Sequence, residues 1–201
     1  MSSPAPNASA DGAVRALWTF DRDDYAAHLK RLSPEDRRSR FRAALSDAAI
    51  DEHVRRVLKR GGHVVGWFVD GALRGAAEVA LAPDGRSAEA AFEVEPAWRG
   101  RGVGSELVSR ALLWARNRGA RRLYIHTTRR NVAMLAAARR SGAVFEFDLA
   151  DAEGVIEAAR PDWRSHVEEA RLAEEGALAW VRGAARAWRR RLGSTAGPMA
   201  L

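Results

Sequence analysis

A glycine-rich stretch with two arginines is the first place in the chain where residue types and spacing could hold a charged ligand. Three glycines stand at alternate positions, and a glycine backbone can approach a ligand closely because it has no Cβ. The stretch also opens an amphipathic run, and the first turn of a helix presents unpaired N–H groups and a positive dipole end. We therefore expect a pyrophosphate site formed by Val94, Arg99, Gly100, Arg101, Gly102, Val103, Gly104 and Ser105.

Two common phosphate-binding patterns do not match this stretch. The P-loop pattern requires a lysine followed by serine or threonine, and no lysine stands here. The dinucleotide fingerprint places its third glycine three residues after the second, whereas Gly100, Gly102 and Gly104 are evenly spaced. The stretch therefore belongs to another kind of phosphate site.

Three glutamates lie where an antiparallel hairpin would bring their side chains to one face of a sheet. If Asp84-Gly85 is a two-residue hairpin turn, Glu78 lies opposite Ala91, and alternation along the strand places Glu89 and Glu93 on the face of Glu78. Clustered carboxylates can hold a cationic amine and raise one another's pKa enough for base catalysis. The alternative is that these are ordinary solvent-facing strand positions.

The glycine stretch resembles a motif of the GNAT superfamily of N-acetyltransferases. In the pattern [Q/R]-x-x-G-x-[G/A], Arg99, Gly102 and Gly104 occupy the three defined positions. Upstream, residues 32–41 resemble a segment of members related to bacterial protein-lysine acetyltransferases. The resemblance extends over roughly residues 14–159. It implies an N-acetyltransferase whose cosubstrate is acetyl-CoA, with the pyrophosphate held by the glycine turn.

A second motif of the same family follows downstream. Asn131 and Met134, with Gly142 eleven residues after the asparagine, resemble N-x-x-[A/M]-(x)7-G-F, and Ala143 stands in the phenylalanine position. The resemblance implies that Asn131 and Met134 belong to the coenzyme site. Asparagine is also a common N-cap residue, and the two roles are compatible.

The resemblance also suggests which residues do chemistry. Residues 88–94 resemble the A-E-x-A strand of protein-lysine acetyltransferase-like members, in which the glutamate is the general base, and this assigns the base to Glu89. Glu93 is a further catalytic candidate, and Glu78 is a candidate for binding the substrate. His126 could carry a proton because histidine titrates near neutrality. Many members carry a tyrosine that acts as a general acid at the position where this chain has Ala138. The usual proton donor to the departing thiolate is therefore missing.

The order of predicted elements indicates a mixed α/β fold of the GNAT type. We expect a central, mostly antiparallel twisted sheet of about six to seven strands, flanked by helices and followed by a C-terminal helical extension. Predicted strands cover 14–20, 63–69, 73–81, 87–94, 121–128, 144–148 and 154–159. Predicted helices cover 21–32, 33–45, a run starting at 46 or 47, 103–117, 131–140 and 162–192.

Composition predicts a soluble cytoplasmic protein. Hydrophobic residues make up 47% and charged residues 29% of the 201 positions, as in ordinary globular domains. No uncharged apolar run approaches the ~20 residues that a membrane span needs, and cysteine is absent, which fits a reducing compartment. Residues 1–13 lack the features of a secretory signal and predict a disordered lead-in. The domain itself is predicted at 14–160, with an extension at 161–201.

The net charge of +7 does not by itself indicate nucleic-acid binding. All but two of the 33 basic residues are arginines, and we attribute this preference for arginine over lysine to the base composition of the genome. The chain also shows no nucleic-acid-binding module. A positive charge still attracts an anionic coenzyme. The spacing of the histidines suggests no metal site. We therefore expect acetyl-CoA and a cationic amine or protein lysine as ligands, with no nucleic acid, membrane or metal.

The C-terminal extension carries an apolar seam at helical spacing. Packing of this helix against its own domain is the favoured interpretation, and a dimer helix or a contact with an acidic partner is the alternative. The protein is accordingly expected to be a monomer or a homodimer. The seam comprises Leu178, Val181, Ala185, Trp188 and Leu192.

The sequence is compatible with two functions. The first is transfer of an acetyl group from acetyl-CoA to a primary amine, with a glutamate as base. The second is a non-catalytic acyl-CoA-binding or sensory module that has kept the phosphate turn and lost the acid at Ala138.

Overall fold

The computed structural model describes residues 12–59 and 62–194, and in that part of the chain a single seven-stranded sheet forms the centre. Its order is β1-β2-β3-β4-β5-β7-β6, and every neighbouring pair is antiparallel except the parallel pair β4–β5. The predicted mixed α/β fold is confirmed. The strands are β1 (Ala13–Ala16), β2 (His63–Val69), β3 (Ala72–Leu81), β4 (Ser87–Val94), β5 (Arg122–Thr128), β6 (Val144–Asp148) and β7 (Asp151–Glu157).

Six α-helices within the described ranges cover the sheet. Residues of α1 and α3 pack on one face around Tyr25, Leu29 and Ile50, while α4 and α5 pack on the other face. Ser33 caps α2 as predicted, since its hydroxyl accepts a hydrogen bond from the Asp36 N–H at 3.0 Å. The helices are α1 (Arg22–Lys30), α2 (Pro34–Phe41), α3 (Asp47–Lys59), α4 (Val103–Asn117), α5 (Val132–Arg140) and α6 (Trp163–Ser194).

Several predicted boundaries are wrong near the first strand and the last one. The first strand ends at Ala16 because Asp21 folds the chain back: its carboxylate accepts from the Trp18 N–H at 2.7 Å and pairs with the buried Arg15. The last strand begins at Asp151 because a tight turn at Leu149, with φ +43°, joins it directly to β6. Part of the predicted lead-in, residues 1–11, lies outside the described residues.

The register of the β3–β4 hairpin is confirmed. Glu78 lies opposite Ala91, and Glu89 lies opposite Ala80. The turn differs in detail, because the Gly85 N–H donates to the Ala82 carbonyl at 2.9 Å and so centres the turn one residue earlier. The alternation along both strands still places Glu78, Glu89 and Glu93 on the same face of the sheet.

The parallel pair in the middle of the sheet opens toward its C-terminal end. β4 and β5 pair from Ser87 with Arg122 to Ala90 with Ile125, and beyond those residues the two strands run on without pairing. The loops after these strands lead into α4 and α5. Crevices beyond the carboxyl ends of parallel strands are common ligand sites in α/β proteins.

The C-terminal helix packs against β1, but not through the predicted seam. A Cβ on Gly176 would lie 1.8 Å from the Val14 carbonyl oxygen, so only glycine allows this close approach. Leu178, Val181 and Trp188 are instead exposed, and the side chain of Leu192 lies outside the described part. No helix in the described ranges combines the length and apolarity needed to cross a membrane.

Candidate functional site

The glycine turn adopts a backbone that ordinary residues avoid. Gly100 has φ +73° and Gly102 has φ +86°, and Gly102 is the N-cap of α4. A Cβ on either residue would project into open space, with no other atom within 4 Å. These glycines are therefore required for their conformation, which aims the first N–H groups of α4 at the neighbouring cavity.

A cavity of about 270 Å³, the loop cavity, lies between this turn, α2 and α5. Arg101 does not line it, because its guanidinium lies over the Trp98 ring at 5.1 Å, and Val103 is buried in the core instead. The other residues predicted for the coenzyme site do line it: Val94, Arg99, Gly100, Gly102, Gly104, Ser105, Asn131 and Met134.

Arg99 ties the end of β4 to α2 across the loop cavity. Its Nε donates to the Val94 carbonyl at 2.8 Å, and its Nη2 donates to Asp36 at 2.7 Å. Its guanidinium is therefore already partnered in this structure. The positive potential that remains available to an anion comes from the helix N-terminus and from Arg140, which lines the cavity and donates to the Ser105 hydroxyl at 3.0 Å.

The start of α5 completes the loop cavity. The Asn131 side chain caps the helix by accepting from the Met134 N–H at 3.1 Å. A Cβ on Gly104 would lie 3.3 Å from the Ala137 Cβ, so the third glycine permits close packing of α4 on α5. Ala138 is completely buried beside this contact and offers no proton donor.

A buried ion cluster separates the loop cavity from a second one. Arg40 of α2 donates from Nε to Glu93 at 2.8 Å and from Nη2 to Glu78 at 2.7 Å. The Tyr25 hydroxyl donates to Glu78 at 3.1 Å, and His53 Nε2 lies 2.8 Å from the same carboxylate oxygen. One guanidinium thus neutralises two of the three glutamates on this face of the sheet.

The pKa values of this cluster follow from burial and from Arg40. Burial would raise the pKa of Glu78, but the hydrogen bond from His53 and the charge of Arg40 outweigh it and lower that pKa to about 2. For Glu93, burial prevails over the charge of Arg40 and the pKa is raised. Burial and the two carboxylates raise the pKa of Tyr25 well above its ordinary value, so its hydroxyl stays a donor.

A second ion cluster fixes the point where β4 ends. Glu95 accepts from Arg31 Nε at 2.8 Å and from Arg74 at 3.0 Å, and it lies 3.1 Å from His28 Nδ1. Burial would raise the pKa of Glu95, but its hydrogen bonds with His28, Arg31 and Arg74 lower it to about 2. This anchor holds the strand end from which the glycine turn departs.

The second cavity, the strand cavity, has a volume of about 520 Å³ and brings Glu89 and His126 together. Glu89 is exposed, and among the described residues its carboxylate has no hydrogen-bond or ion-pair partner. His126 Nδ1 lies 3.3 Å from Glu153 and 3.4 Å from Arg42 Nη2. Arg40 lines both cavities and marks where they meet.

The structure therefore separates residues that the sequence grouped. The strand cavity is lined by Glu78, Glu89 and His126, whereas Glu93 lines the loop cavity and is buried. Sequence reasoning missed Arg40, although it lies in the segment 32–41 that carries a family resemblance. In the part of the chain that the structure describes, no group of three metal-binding side chains comes together.

Comparisons with known proteins identify the family and the fold. Residues 17–143 match the model of the acetyltransferase (GNAT) family. The GNAT domain of PAT from S. lividans superposes with a TM-score of 0.61 at 24% identity, covering 72% of this chain and 89% of that chain. A GNAT-family acetyltransferase from Streptococcus pneumoniae gives 0.61 at 17% identity, covering 74% and 99%.

A third solved structure is a putative acetyltransferase from Salmonella typhimurium with its cofactor acetyl-CoA. It superposes with a TM-score of 0.57 at 17% identity, covering 76% of this chain and 99% of that one. At such identities the structures establish the fold alone, and none of the curated proteins matches the sequence. The family model covers more than half of the chain, and on that ground the chain belongs to the acetyltransferase (GNAT) family and is an N-acetyltransferase.

Proposed function

We propose that the protein transfers the acetyl group of acetyl-CoA to a primary amine, of a small molecule or of a protein lysine, with Glu89 as the general base. The observation that carries the proposal is the junction of two cavities at Arg40. One cavity is bounded by an anion-binding helix start, and the other contains an unpartnered carboxylate.

The loop cavity suits a coenzyme with phosphate groups. The N–H groups at the start of α4 face it, and Gly100 and Gly102 leave open space where a side chain would otherwise project. Val94, Asn131 and Met134 would contact the arm of the coenzyme, which supplies an activated thioester. Ser105 and the remaining turn residues Arg99, Arg101, Val103 and Gly104 shape the loop around it.

The strand cavity would receive the amine. Glu89 takes a proton from the ammonium group, and the free amine then forms a C–N bond with the acyl carbon as the C–S bond breaks. The nitrogen of the new amide gives up its extra proton to solvent. Glu78 and Glu93 are bound by Arg40, so we assign them to positioning that arginine, with Glu78 also forming part of the acceptor wall. His126 is a second proton carrier, and solvent protonates the departing thiolate because Ala138 carries no acid.

Calorimetry with acetyl-CoA and a thiol-release assay on a panel of amines test the proposal. We expect coenzyme binding together with acetylation of at least one amine, and Glu89→Gln should lower the turnover by about 10²–10⁴-fold at pH 7–9 without weakening coenzyme binding. Glu168→Gln, an exposed glutamate on α6, is the matched control and should leave both unchanged. An unaltered rate in Glu89→Gln would remove the base assignment.

The same assay tests the alternative drawn from the sequence, a non-catalytic acyl-CoA-binding module without an acid at Ala138. Coenzyme binding without thiol release on any amine would contradict the proposal. The domain bounds 14–160 with an extension at 161–201, the cytoplasmic location and the choice between monomer and homodimer stay predictions.

A further inference from the structure

The wall of the strand cavity contributed by α2 carries two arginines that lack carboxylate partners. Arg38 and Arg42 both line the cavity, are exposed and stand four residues apart. Within the described residues Arg38 has no ion pair or hydrogen bond, and Arg42 has only the 3.4 Å contact with His126. By contrast, Arg37 and Arg40 of the same helix are both paired with carboxylates.

Arg42 also has an unusual backbone. It ends α2 with φ +54°, in the left-handed region that favours glycine at a helix end. Cations near a helix C-terminus complement the helix dipole, but side chains directed to solvent would serve that purpose equally. Here the arginine side chain instead reaches His126 across the cavity.

The opposite wall of the cavity is negative. Glu89 of β4 is unpartnered within the described residues, and Asp151 at the start of β7 also lines the cavity. Glu78 also lines the cavity, but its carboxylate is paired with Arg40 and lies within hydrogen-bond distance of His53. The cavity therefore carries charges of both signs: two arginines from the end of α2 without carboxylate partners, and two carboxylates of the sheet that lack cationic partners within the described residues.

We propose that the acceptor is a zwitterion: its amine meets Glu89, and an anionic group, a carboxylate or a phosphate, meets Arg38 and Arg42. This inference rests on the proposed function. Guanidinium groups bind both anions through charge-assisted hydrogen bonds, and a cavity of about 520 Å³ is in the range that holds small ligands. The ε-amine of a protein lysine has no such anion on its own side chain and is a poorer match.

Acceptors that differ only in the charge of their far end test the proposal. 4-Aminobutyrate, 4-aminobutanamide and 1,4-diaminobutane carry an anionic, a neutral and a cationic end on comparable chains. Homologous ω-amino acids vary the span, and phosphoethanolamine beside ethanolamine tests phosphate. We expect kcat/KM for the best anionic acceptor to exceed that of its neutral counterpart by about tenfold or more, since hydrogen bonds to charged groups contribute at that level.

Variants then assign the preference to the two arginines. Arg38→Ala combined with Arg42→Ala should reduce the preference to below about threefold, mainly through KM, and Arg42→Lys should retain part of it. Arg86→Ala, an exposed arginine on the β3–β4 turn, is the control and should retain all of it.

The outcomes separate this inference from the proposed function. If amines are acetylated but no anionic acceptor exceeds its neutral or cationic counterpart, or if the double variant keeps the preference, the zwitterion is wrong and the acetyltransferase assignment stands. If the protein binds acetyl-CoA and acetylates no amine in the panel, the proposed function fails, and the inference fails with it.

Discussion

The loop cavity and the strand cavity, which meet at Arg40, differ in the groups that shape them. The loop cavity is shaped by backbone: positive φ angles at Gly100 and Gly102, and the N–H groups of a helix start. The strand cavity is shaped by charged side chains that come from α2, β3, β4 and β5. The comparison shows that the glycine turn of the loop cavity is set by local conformation, whereas the charged lining of the strand cavity depends on how distant elements pack.

Arg40 is the point at which the two halves depend on each other. Its guanidinium satisfies Glu93 beside the loop cavity and Glu78 beside the strand cavity. A buried charge without a partner is costly, so the three groups are stable only together. Substitutions in either cavity therefore test whether one half of the site can be altered without affecting the other.

Replacement of Arg40 should have the largest effect. Arg40→Met leaves Glu78 and Glu93 without their cation in a buried setting, and we expect the free energy of unfolding to fall by about 3–5 kcal/mol, measured by urea denaturation. Arg38→Met, two residues earlier and exposed, should change it by less than about 0.5 kcal/mol. A loss in Arg40→Met as small as that of the control would show that the cluster contributes nothing to stability.

Glu78→Gln should have the next largest effect, and its size should depend on pH. The folded pKa of about 2 lies below the ordinary value of 4.5, so the carboxylate stabilises the fold fully above pH 4.5 and this contribution is lost as the pH falls toward 2. We expect the variant to be less stable by about 2–3 kcal/mol at pH 7, with roughly half of the difference gone by pH 3. Denaturation curves at both pH values check this, and a difference that does not depend on pH would contradict it.

Gly102→Ala should have the smallest effect on stability and the most local one. The added Cβ meets no atom within 4 Å, so the expected cost of about 1–2 kcal/mol comes from the left-handed backbone alone, and the turn should bind acetyl-CoA less tightly. Gly85→Ala, at φ +64° in the β3–β4 turn, is the matched control. Gly85→Ala should lose similar stability and keep its affinity for acetyl-CoA, as measured by calorimetry. If both variants bind acetyl-CoA equally well, Gly102 has no role in binding the coenzyme.

The sequence predicted the parts of the molecule that obey short-range rules. The β3–β4 register followed from alternation and a turn signal near Gly85, and the caps at Ser33 and Asn131 followed from local hydrogen bonding. It did not predict that α6 would pack through Gly176 while Leu178 stays exposed. The sequence of the helix does not distinguish its two faces. The contacts of Gly176 with β1, Trp180 with Arg15 and Glu169 with Asn117 decide which face packs on the domain.

The clearest contrast lies among the three glutamates of one sheet face. Alternation along the strands was enough to place Glu78, Glu89 and Glu93 together, because side-chain direction in a strand is a local property. Their different roles depend on Arg40, which reaches two of them from α2, 38 positions before Glu78 and 53 before Glu93. The sequence pattern of a strand does not indicate a partner that comes from a distant helix. Packing of α2 on the sheet leaves Glu89 as the free carboxylate, and that choice belongs to the tertiary structure.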